Sequence, residues 1–251
     1  PVALEGAISF DQLHFSYIPD EEVLHGISLD IKAGETVAIV GATGAGKSTI
    51  INLLSRFYEY DTGDITIDSI SIKDFELNAL RKHVAVVLQD VFLFADSLFN
   101  NITLFDPKIS REDVAEAAKK IGVHDFIESL PGGYDYNVKE RGVMLSSGQR
   151  QLIAFLRAYI TQPAILVLDE ATSSVDSYTE EVIQKAIDTL TEGKTSIVIA
   201  HRLATVKNAD RIIVMDQGNI VEQGTHVELL KVSNGYYAKL YEVQFAEELM
   251  L

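Results

Sequence analysis

The stretch TVAIVGATGAGKSTIINLLSRF, residues 36–57, decides the fold of this 251-residue chain. Residues 36–40 predict a short buried strand, and the apolar spacing after Ser48 predicts an amphipathic helix. Between them, the pattern G-x-x-x-x-G-K-[ST] is complete from Gly41 to Ser48. Glycines at a strand-to-helix turn let backbone N–H groups approach anionic oxygens at the positive end of the helix, which predicts a phosphate-binding loop. The predicted apolar face of the helix consists of Ile50, Ile51, Leu53, Leu54 and Phe57.

Two side chains of this loop have expected roles of their own. Lys47 is expected to reach the outer phosphates as a point charge. Ser48 supplies a hydroxyl that suits Mg²⁺, which prefers oxygen ligands.

The composition narrows the class of protein. A hydrophobic content of 47% is typical of a globular chain, and 21 basic against 37 acidic residues give a net charge of −16. This charge repels polyanions and disfavours nucleic-acid binding. The sequence contains no cysteine, which excludes disulfides, thiol catalysis and cysteine-based zinc sites. No run approaches the roughly 20 apolar residues of a membrane-spanning helix, and the start at Pro1 shows no signal-peptide pattern.

Two kinds of strand pattern flank the loop. Alternating apolar positions predict antiparallel strands on both sides of it, at Leu13, Phe15 and Tyr17, at Ile27, Leu29 and Ile31, and at Ile65, Ile67 and Ile70. Continuous apolar runs predict parallel strands that are buried on both faces and share a sheet with residues 36–40. These runs are residues 84–88, 164–168, 196–200 and 211–215.

A mainly helical block separates two of the predicted parallel strands. Helices are expected at residues 111–121, 124–130 and 149–160, so we interpret residues 89–161 as a helical subdomain inserted into a core of residues 1–88 and 162–251. Capping-box patterns predict further helix starts at Ser110, Ser177 and Thr225.

Polar side chains follow three of the apolar runs. At the carboxyl ends of parallel strands such side chains project into the crevice where α/β sheets bind ligands. Asp169 is therefore expected to hold Mg²⁺ beside Ser48, and Glu170 to orient or deprotonate a water that attacks a phosphate. Gln89 and His201 follow two neighbouring runs and are expected in the same crevice.

A second potential anion site opens the last helix of the inserted block. The sequence LSSGQ, residues 145–149, places small residues and a hydroxyl at a helix start. It has no lysine, and an ordinary serine N-cap is the alternative interpretation.

In their order along the chain, these pieces resemble the nucleotide-binding domain of an ATP-binding cassette (ABC) transporter, and the resemblance covers nearly the whole chain. Gly41 to Ser48 matches Walker A and residues 165–169, followed by Glu170, match Walker B. Gln89 matches the Q-loop, residues 145–149 the signature, Ser174, Val175 and Asp176 the D-loop, and His201 the switch histidine. The clearest departure is Ser147, where the family usually has the first glycine of LSGGQ.

The resemblance implies a P-loop NTPase fold: an α/β core with a mainly parallel sheet, an N-terminal antiparallel β subdomain and an inserted α-helical subdomain. It implies ATP as the nucleotide, Mg²⁺ as the cofactor, and stacking of adenine on Tyr17. The implied catalytic residues are Glu170, His201, Gln89 and Lys47, and the implied metal ligands are Ser48, Gln89 and Asp169. The implied nucleotide contacts are Tyr17, Gly41, Thr43, Gly44, Ala45, Gly46, Lys47, Ser48 and Thr49, with Ser146, Gly148 and Gln149 contributed in trans.

The resemblance also implies partners. Each ATP would lie between two nucleotide-binding domains that meet head to tail, with Asp176 communicating between them. The segment KERG, residues 139–142, looks like the X-loop of exporters, so membrane domains are expected to dock on Glu140 and on the segment from Gln89 to Phe94. The domain is expected to lie at the cytoplasmic face of a membrane. The alternatives are the ATPase subunit of an importer and a nucleotide-dependent interaction module without transport.

Overall fold

The computed structural model describes residues 3–170 and 175–244. The strands belong to two sheets, and along the chain the helices lie between and after the strands. The strands are β1 (Ile8–Ile18), β2 (Glu21–Ile31), β3 (Thr36–Val40), β4 (Thr62–Ile67), β5 (Ile70–Ser71), β6 (Val84–Val87), β7 (Ile165–Asp169), β8 (Thr195–Ile199), β9 (Arg211–Asp216) and β10 (Asn219–Gly224).

The helices include the predicted ones. The helices are α1 (Lys47–Leu54), α2 (Leu77–His83), α3 (Leu98–Thr103), α4 (Arg111–Ile121), α5 (His124–Ser129), α6 (Ser147–Ile160), α7 (Ser177–Thr191), α8 (Leu203–Asn208), α9 (His226–Leu230) and α10 (Tyr236–Gln244). Of these, α2, α3 and α8 were not predicted. Short 3-10 helices in the described part of the chain span Ile72–Asp74, Gly133–Asp135 and Glu140–Gly142. Among the described residues, no helix is both long enough and apolar enough to cross a membrane.

A six-stranded sheet with the order β10-β9-β3-β8-β7-β6 carries the phosphate-loop sequence. Strand β3 pairs in parallel with β8 and β9, and β8 pairs in parallel with β7. The two faces of β3 enter different cores: Val37 and Ile39 pack with residues of β1, β2 and α1, whereas Ala38 and Val40 pack with residues of α8, α9 and α10. The prediction of parallel strands that are buried on both faces is therefore confirmed for β3, β7, β8 and β9.

A four-stranded antiparallel sheet, in the order β2-β1-β4-β5, contains the alternating N-terminal pattern. The prediction that Ile70 continues the strand of Ile65 and Ile67 is wrong, because the chain turns at Asp68 and Ser69, which have φ angles of 50° and 67°. The Asp68 carboxylate fixes this turn by accepting hydrogen bonds from the backbone N–H groups of residues 5–7. Ile70 then begins β5.

Other elements also differ from the predictions. Helix α1 ends at Leu54, so Phe57 lies beyond it and is exposed. Strand β10 pairs antiparallel with β9 and was not predicted, because its sequence NIVEQG is too polar to resemble the buried runs. The N-cap of α7 is Asp176 and not Ser177: the Asp176 carboxylate accepts a hydrogen bond from the N–H of Thr179 at 2.9 Å.

By their internal contacts, the described residues form two compact units. The first comprises residues 3–86, 164–170 and 193–244, and it contains the antiparallel sheet and most of the six-stranded sheet. The second comprises residues 87–163 and 175–192 and contains α3 to α7, with α6 packed against α3, α4 and α7.

Candidate functional site

The glycine-rich loop connects β3 to α1 in the first unit, and two of its glycines have no room for a side chain. A Cβ atom on Gly41 would lie 2.3 Å from the carbonyl oxygen of Met215. Gly46 has a φ of 99°, and a Cβ there would lie 2.8 Å from Leu24 Cδ2. Because other residues adopt this backbone only with strain, the sequence folds as a tight loop that ends at the first residue of α1.

Lys47 is buried and its side chain folds back into the loop. Its Nζ donates hydrogen bonds to the carbonyl oxygens of Gly41 at 2.5 Å and Ala42 at 2.9 Å. Burial lowers the pKa of Lys47, and the negative charge of Asp169 partly opposes this shift. Residues 42–44 and Ser48 are exposed, so the loop backbone and the Ser48 hydroxyl are accessible beside a buried ammonium group.

Glu170 follows β7 and is only 2% exposed. Its Oε2 accepts hydrogen bonds from the backbone N–H groups of His201 at 2.7 Å and Arg202 at 3.1 Å. Its Oε1 accepts a short hydrogen bond from the hydroxyl of Thr205. Burial raises the pKa of Glu170, while these donors and the nearby Arg202 charge oppose the shift. The carboxylate is thus oriented by the segment that follows β8.

His201 follows β8, with Ala200 between them, and lies near Asp169, with 4.0 Å between His201 Nε2 and Asp169 Oδ1. Burial lowers the pKa of His201, and the positive charge of Lys47 adds to this effect. The imidazole is therefore neutral at pH 7 and can accept or donate a hydrogen bond. The structure brings Lys47, Asp169, Glu170 and His201 together at the carboxyl ends of β3, β7 and β8.

Tyr17 lies near the end of β1 and is 42% exposed. Its hydroxyl lies 3.1 Å from Thr49 Oγ1, and it accepts a hydrogen bond from Asn52 Nδ2 at 2.9 Å. Its ring packs edge to face with Phe15 at 4.7 Å and with Tyr58 at 4.9 Å between centroids. These contacts hold the exposed ring of Tyr17, which belongs to β1, against α1. Asn52 and Tyr58 were not predicted, since neither belongs to a recognisable motif.

The signature residues lie in the second unit, at the start of α6. Helix α6 begins at Ser147, two positions before the predicted start, and Ser146 is its N-cap. The Ser146 hydroxyl accepts a hydrogen bond from the N–H of Gln149 at 3.2 Å, and the Gln149 side chain accepts one from the N–H of Ser146 at 3.0 Å. Gly148 is packed against α7, because a Cβ there would lie 2.9 Å from Thr179 Cγ2.

The other predicted positions of the second unit are at its surface. Gln89 follows β6 and is exposed, as is Glu140. Phe92 and Phe94 are exposed and pack edge to face at 5.1 Å, and Phe94 also contacts Phe105. Phe105 was not predicted, because it lies beyond the Q-loop segment. In the D-loop, Asp176 caps α7, whereas Ser174 lies outside the described residues.

Comparison with known proteins gives consistent matches over this chain. Residues 24–173 match the family described as ABC transporter. The chain is 48% identical over 243 residues to the uncharacterized ABC transporter ATP-binding protein YknV of Bacillus subtilis (strain 168), covering 97% of this chain and 40% of that protein. It is 48% identical over 247 residues to the ATP-dependent lipid A-core flippase of Shewanella frigidimarina (strain NCIMB 400), covering 97% of this chain and 41% of that protein.

A solved structure matches as well. A bacterial Atm1-family ABC exporter with ATP bound superimposes with a TM-score of 0.89 at 43% identity, covering 97% of this chain and 42% of that one. The chain thus spans about two fifths of the length of the proteins it matches.

Proposed function

Because this chain belongs to the ABC transporter family and carries its ATP-hydrolysing domain, we propose that it is the motor of an exporter. In this proposal the chain binds ATP, pairs with a second nucleotide-binding domain and drives a substrate through membrane domains. The observation that supports it most is the group of Lys47, Asp169, Glu170 and His201 at the carboxyl ends of three parallel strands. Such a group combines a cation for phosphate, a carboxylate for a metal and a carboxylate for water at one crevice.

The names of similar proteins favour export over import. One relative is named as a lipid A-core flippase, a Staphylococcus aureus relative at 47% identity is named as a multidrug export ATP-binding/permease protein, and the matched structure is an exporter. Each is more than twice as long as this chain, and the name of the Staphylococcus aureus relative joins ATP binding and permease in one protein. We therefore propose that this domain works with transmembrane domains at the cytoplasmic face of a membrane.

The residues of the first unit suit distinct steps of ATP hydrolysis. The exposed ring of Tyr17 offers a surface on which adenine stacks. Lys47 and the loop N–H groups offset the negative charge of the phosphates, as in other phosphate loops. Glu170, oriented by three hydrogen bonds, accepts a proton from the attacking water, and the neutral imidazole of His201 donates a hydrogen bond to the terminal phosphate.

The donor atoms beside the loop fit Mg²⁺. Ser48 offers an exposed hydroxyl and Asp169 a carboxylate, and Mg²⁺ prefers oxygen ligands of this kind. We propose that these two residues hold the ion. The role of Gln89 as a further ligand stays a prediction from the sequence. When bound, the ion would neutralise charge that develops on the phosphate oxygens.

We further propose that the start of α6 serves a neighbouring copy or a homologous domain. The residues Ser146, Gly148 and Gln149 are at a helix start with backbone N–H groups that can bind an anion, yet the segment has no lysine of its own. A phosphate there needs a cation from elsewhere, and Lys47 of a partner domain would supply it. Membrane domains would dock on the exposed Phe92, Phe94 and Glu140, since exposed apolar patches are typical of interaction sites.

Phosphate release from Mg²⁺–ATP tests the proposed function. The chain is expected to turn over ATP, and Glu170→Gln is expected to bind ATP, lose turnover and accumulate as a dimer on a sizing column. Glu192→Gln is the matched control, because Glu192 is exposed after α7 and outside the site. An interaction module without hydrolysis would release no phosphate in any variant. Transport itself is tested with the full-length protein in vesicles, where ATP-driven substrate movement is expected to stop with Glu170→Gln.

A further inference from the structure

Thr205 makes a contact with Glu170 that no motif of the sequence includes. The two residues are separated by 35 positions, and the Thr205 hydroxyl donates a short hydrogen bond to Glu170 Oε1. Thr205 is in α8 and is 4% exposed, so the contact is screened from solvent. We propose that Thr205 is a positioning residue that sets the direction of the Glu170 carboxylate for hydrolysis. This inference rests on the proposed function.

The geometry leaves little freedom to the carboxylate. Both of its oxygens accept hydrogen bonds from one five-residue segment: Oε2 from the N–H groups of His201 and Arg202, and Oε1 from Thr205. Two oxygens fixed at once define the side-chain rotamer and the plane of the carboxylate. Two of the three donors are backbone groups that every residue other than proline supplies, so the hydroxyl of Thr205 is the donor that depends on the side chain.

This arrangement leaves Glu170 able to act as a base. An ionised carboxylate accepts about four hydrogen bonds, so three donors leave capacity for a water molecule. A base works only when it points at the proton that it removes, within hydrogen-bond distance. A carboxylate that lost its bond to Thr205 could rotate about its last side-chain torsion, and it would also be a buried charge with one partner fewer.

The segment that carries Thr205 also connects Glu170 with His201. The N–H of His201 donates to Glu170, while the imidazole of His201 lies near Asp169 and feels the charge of Lys47. The charged group that acts on Glu170 is Arg202, and His201 contacts the carboxylate through its backbone N–H. The side chain of Thr205 is uncharged, so replacing it by another uncharged residue tests the hydrogen bond without changing the charge near Glu170.

The test compares Thr205→Val and Thr205→Ser in the full 251-residue chain. Valine keeps the shape and removes the hydroxyl, whereas serine keeps the hydroxyl. Thr205→Val is expected to lower kcat about tenfold or more, because a hydrogen bond to a charged group is lost. The KM and the Kd of a fluorescent ATP analogue are expected to stay within about twofold, because Thr205 contacts the base and not the nucleotide. Thr205→Ser is expected to restore kcat.

Thr195→Val is the matched control. Thr195 is fully buried, and its hydroxyl accepts a hydrogen bond from the N–H of Gly34 at 3.0 Å, away from Glu170. This variant loses a buried threonine hydroxyl in the same unit and is expected to keep its kcat. If Thr205→Val turned over ATP at the wild-type rate or faster, or lost no more kcat than Thr195→Val, the proposal would be overturned.

A stability cycle gives a readout that does not depend on turnover. Thr205→Val and Glu170→Gln are combined, and urea unfolding is measured for each chain. The destabilisation by Thr205→Val is expected to shrink in the Glu170→Gln background, because no buried charge then needs the hydroxyl. A Thr205→Val chain that does not fold is expected to regain folding with Glu170→Gln, and additive losses or no rescue would reject the pairing. Absence of hydrolysis by the unmodified chain would instead reject the proposed function, which separates the two failures.

Discussion

The strand ends of the first unit and the start of α6 in the second unit carry the two halves of the predicted nucleotide contacts, and they are built differently. In the first unit, Lys47, Glu170 and His201 come from distant parts of the sequence. Lys47 is held by carbonyl oxygens of its own loop, whereas Glu170 accepts hydrogen bonds from the distant backbone N–H groups of His201 and Arg202. At the start of α6, Ser146 and Gln149 are three positions apart and satisfy each other's backbone N–H groups in a capping box. The first region depends on the whole fold, whereas the second depends mainly on its own helix.

We expect the largest effect from a change in the phosphate loop, which should stop ATP hydrolysis and leave the chain folded. Lys47→Ala removes the cation that is held by the carbonyl oxygens of Gly41 and Ala42. We expect ATP binding or hydrolysis to be abolished. An assay of phosphate release measures the loss of turnover in either case. Lys82→Ala is the control, because Lys82 is exposed in the last turn of α2. Near-normal turnover by Lys47→Ala would contradict the role given to the loop.

The same contrast explains how much the sequence predicted. Residues 36–40 coincide with β3, and α4 spans its predicted residues, because local apolar period and capping determine such elements. The resemblance to ABC transporters is confirmed by the family match and by the solved exporter structure. Motifs also indicated which strand ends carry polar residues, since the carboxyl ends of parallel strands share one edge of a sheet.

Contacts between residues far apart in the chain could not be predicted from the sequence. The bond from Thr205 to Glu170 and the contact of Tyr58 with Tyr17 join residues with no shared motif or period. The start of α7 was misplaced because Ser177 satisfies a capping-box pattern, yet the carboxylate of Asp176 caps the helix instead. Both residue types are good N-caps, so local preference alone does not decide between adjacent candidates.

Tyr17→Ala is expected to weaken binding without stopping chemistry, because it removes the stacking surface and leaves the strand ends intact. Base stacking on an aromatic ring contributes about 1–3 kcal/mol, so the Kd for ATP is expected to rise by roughly five- to a hundredfold. Isothermal titration or a fluorescent analogue measures it. Tyr17→Phe is the control, because it keeps the ring and loses only the hydroxyl contacts with Thr49 and Asn52. Unchanged affinity in Tyr17→Ala would return this residue to a purely structural role.

Gly148→Ala tests the second region through packing. An added Cβ would lie 2.6 Å from Val175 Cγ1 and 2.9 Å from Thr179 Cγ2, so α6 and α7 must separate slightly. Overpacking of this kind costs about 1–3 kcal/mol, which urea unfolding measures. The ATP affinity of the single chain is expected to change little, because the phosphate loop belongs to the first unit, whereas ATP-dependent dimer formation is expected to fall, because Gly148 is a proposed contact in trans. Wild-type stability in this variant would show that the helix contact is looser than the structure indicates.

Ser146→Ala has the smallest expected effect on stability and separates the two roles of this residue. Loss of an N-cap costs about 1 kcal/mol, and Ser110→Ala removes an equivalent cap, because Ser110 forms the same capping box with Asp113 at the start of α4. The two variants are therefore expected to lose similar stability in urea unfolding. If Ser146 also contacts a phosphate bound to a second domain, only Ser146→Ala will lower ATP turnover and ATP-dependent dimer formation. Equal turnover in the two variants would leave Ser146 as a helix cap alone, and the start of α6 would then act through its backbone N–H groups.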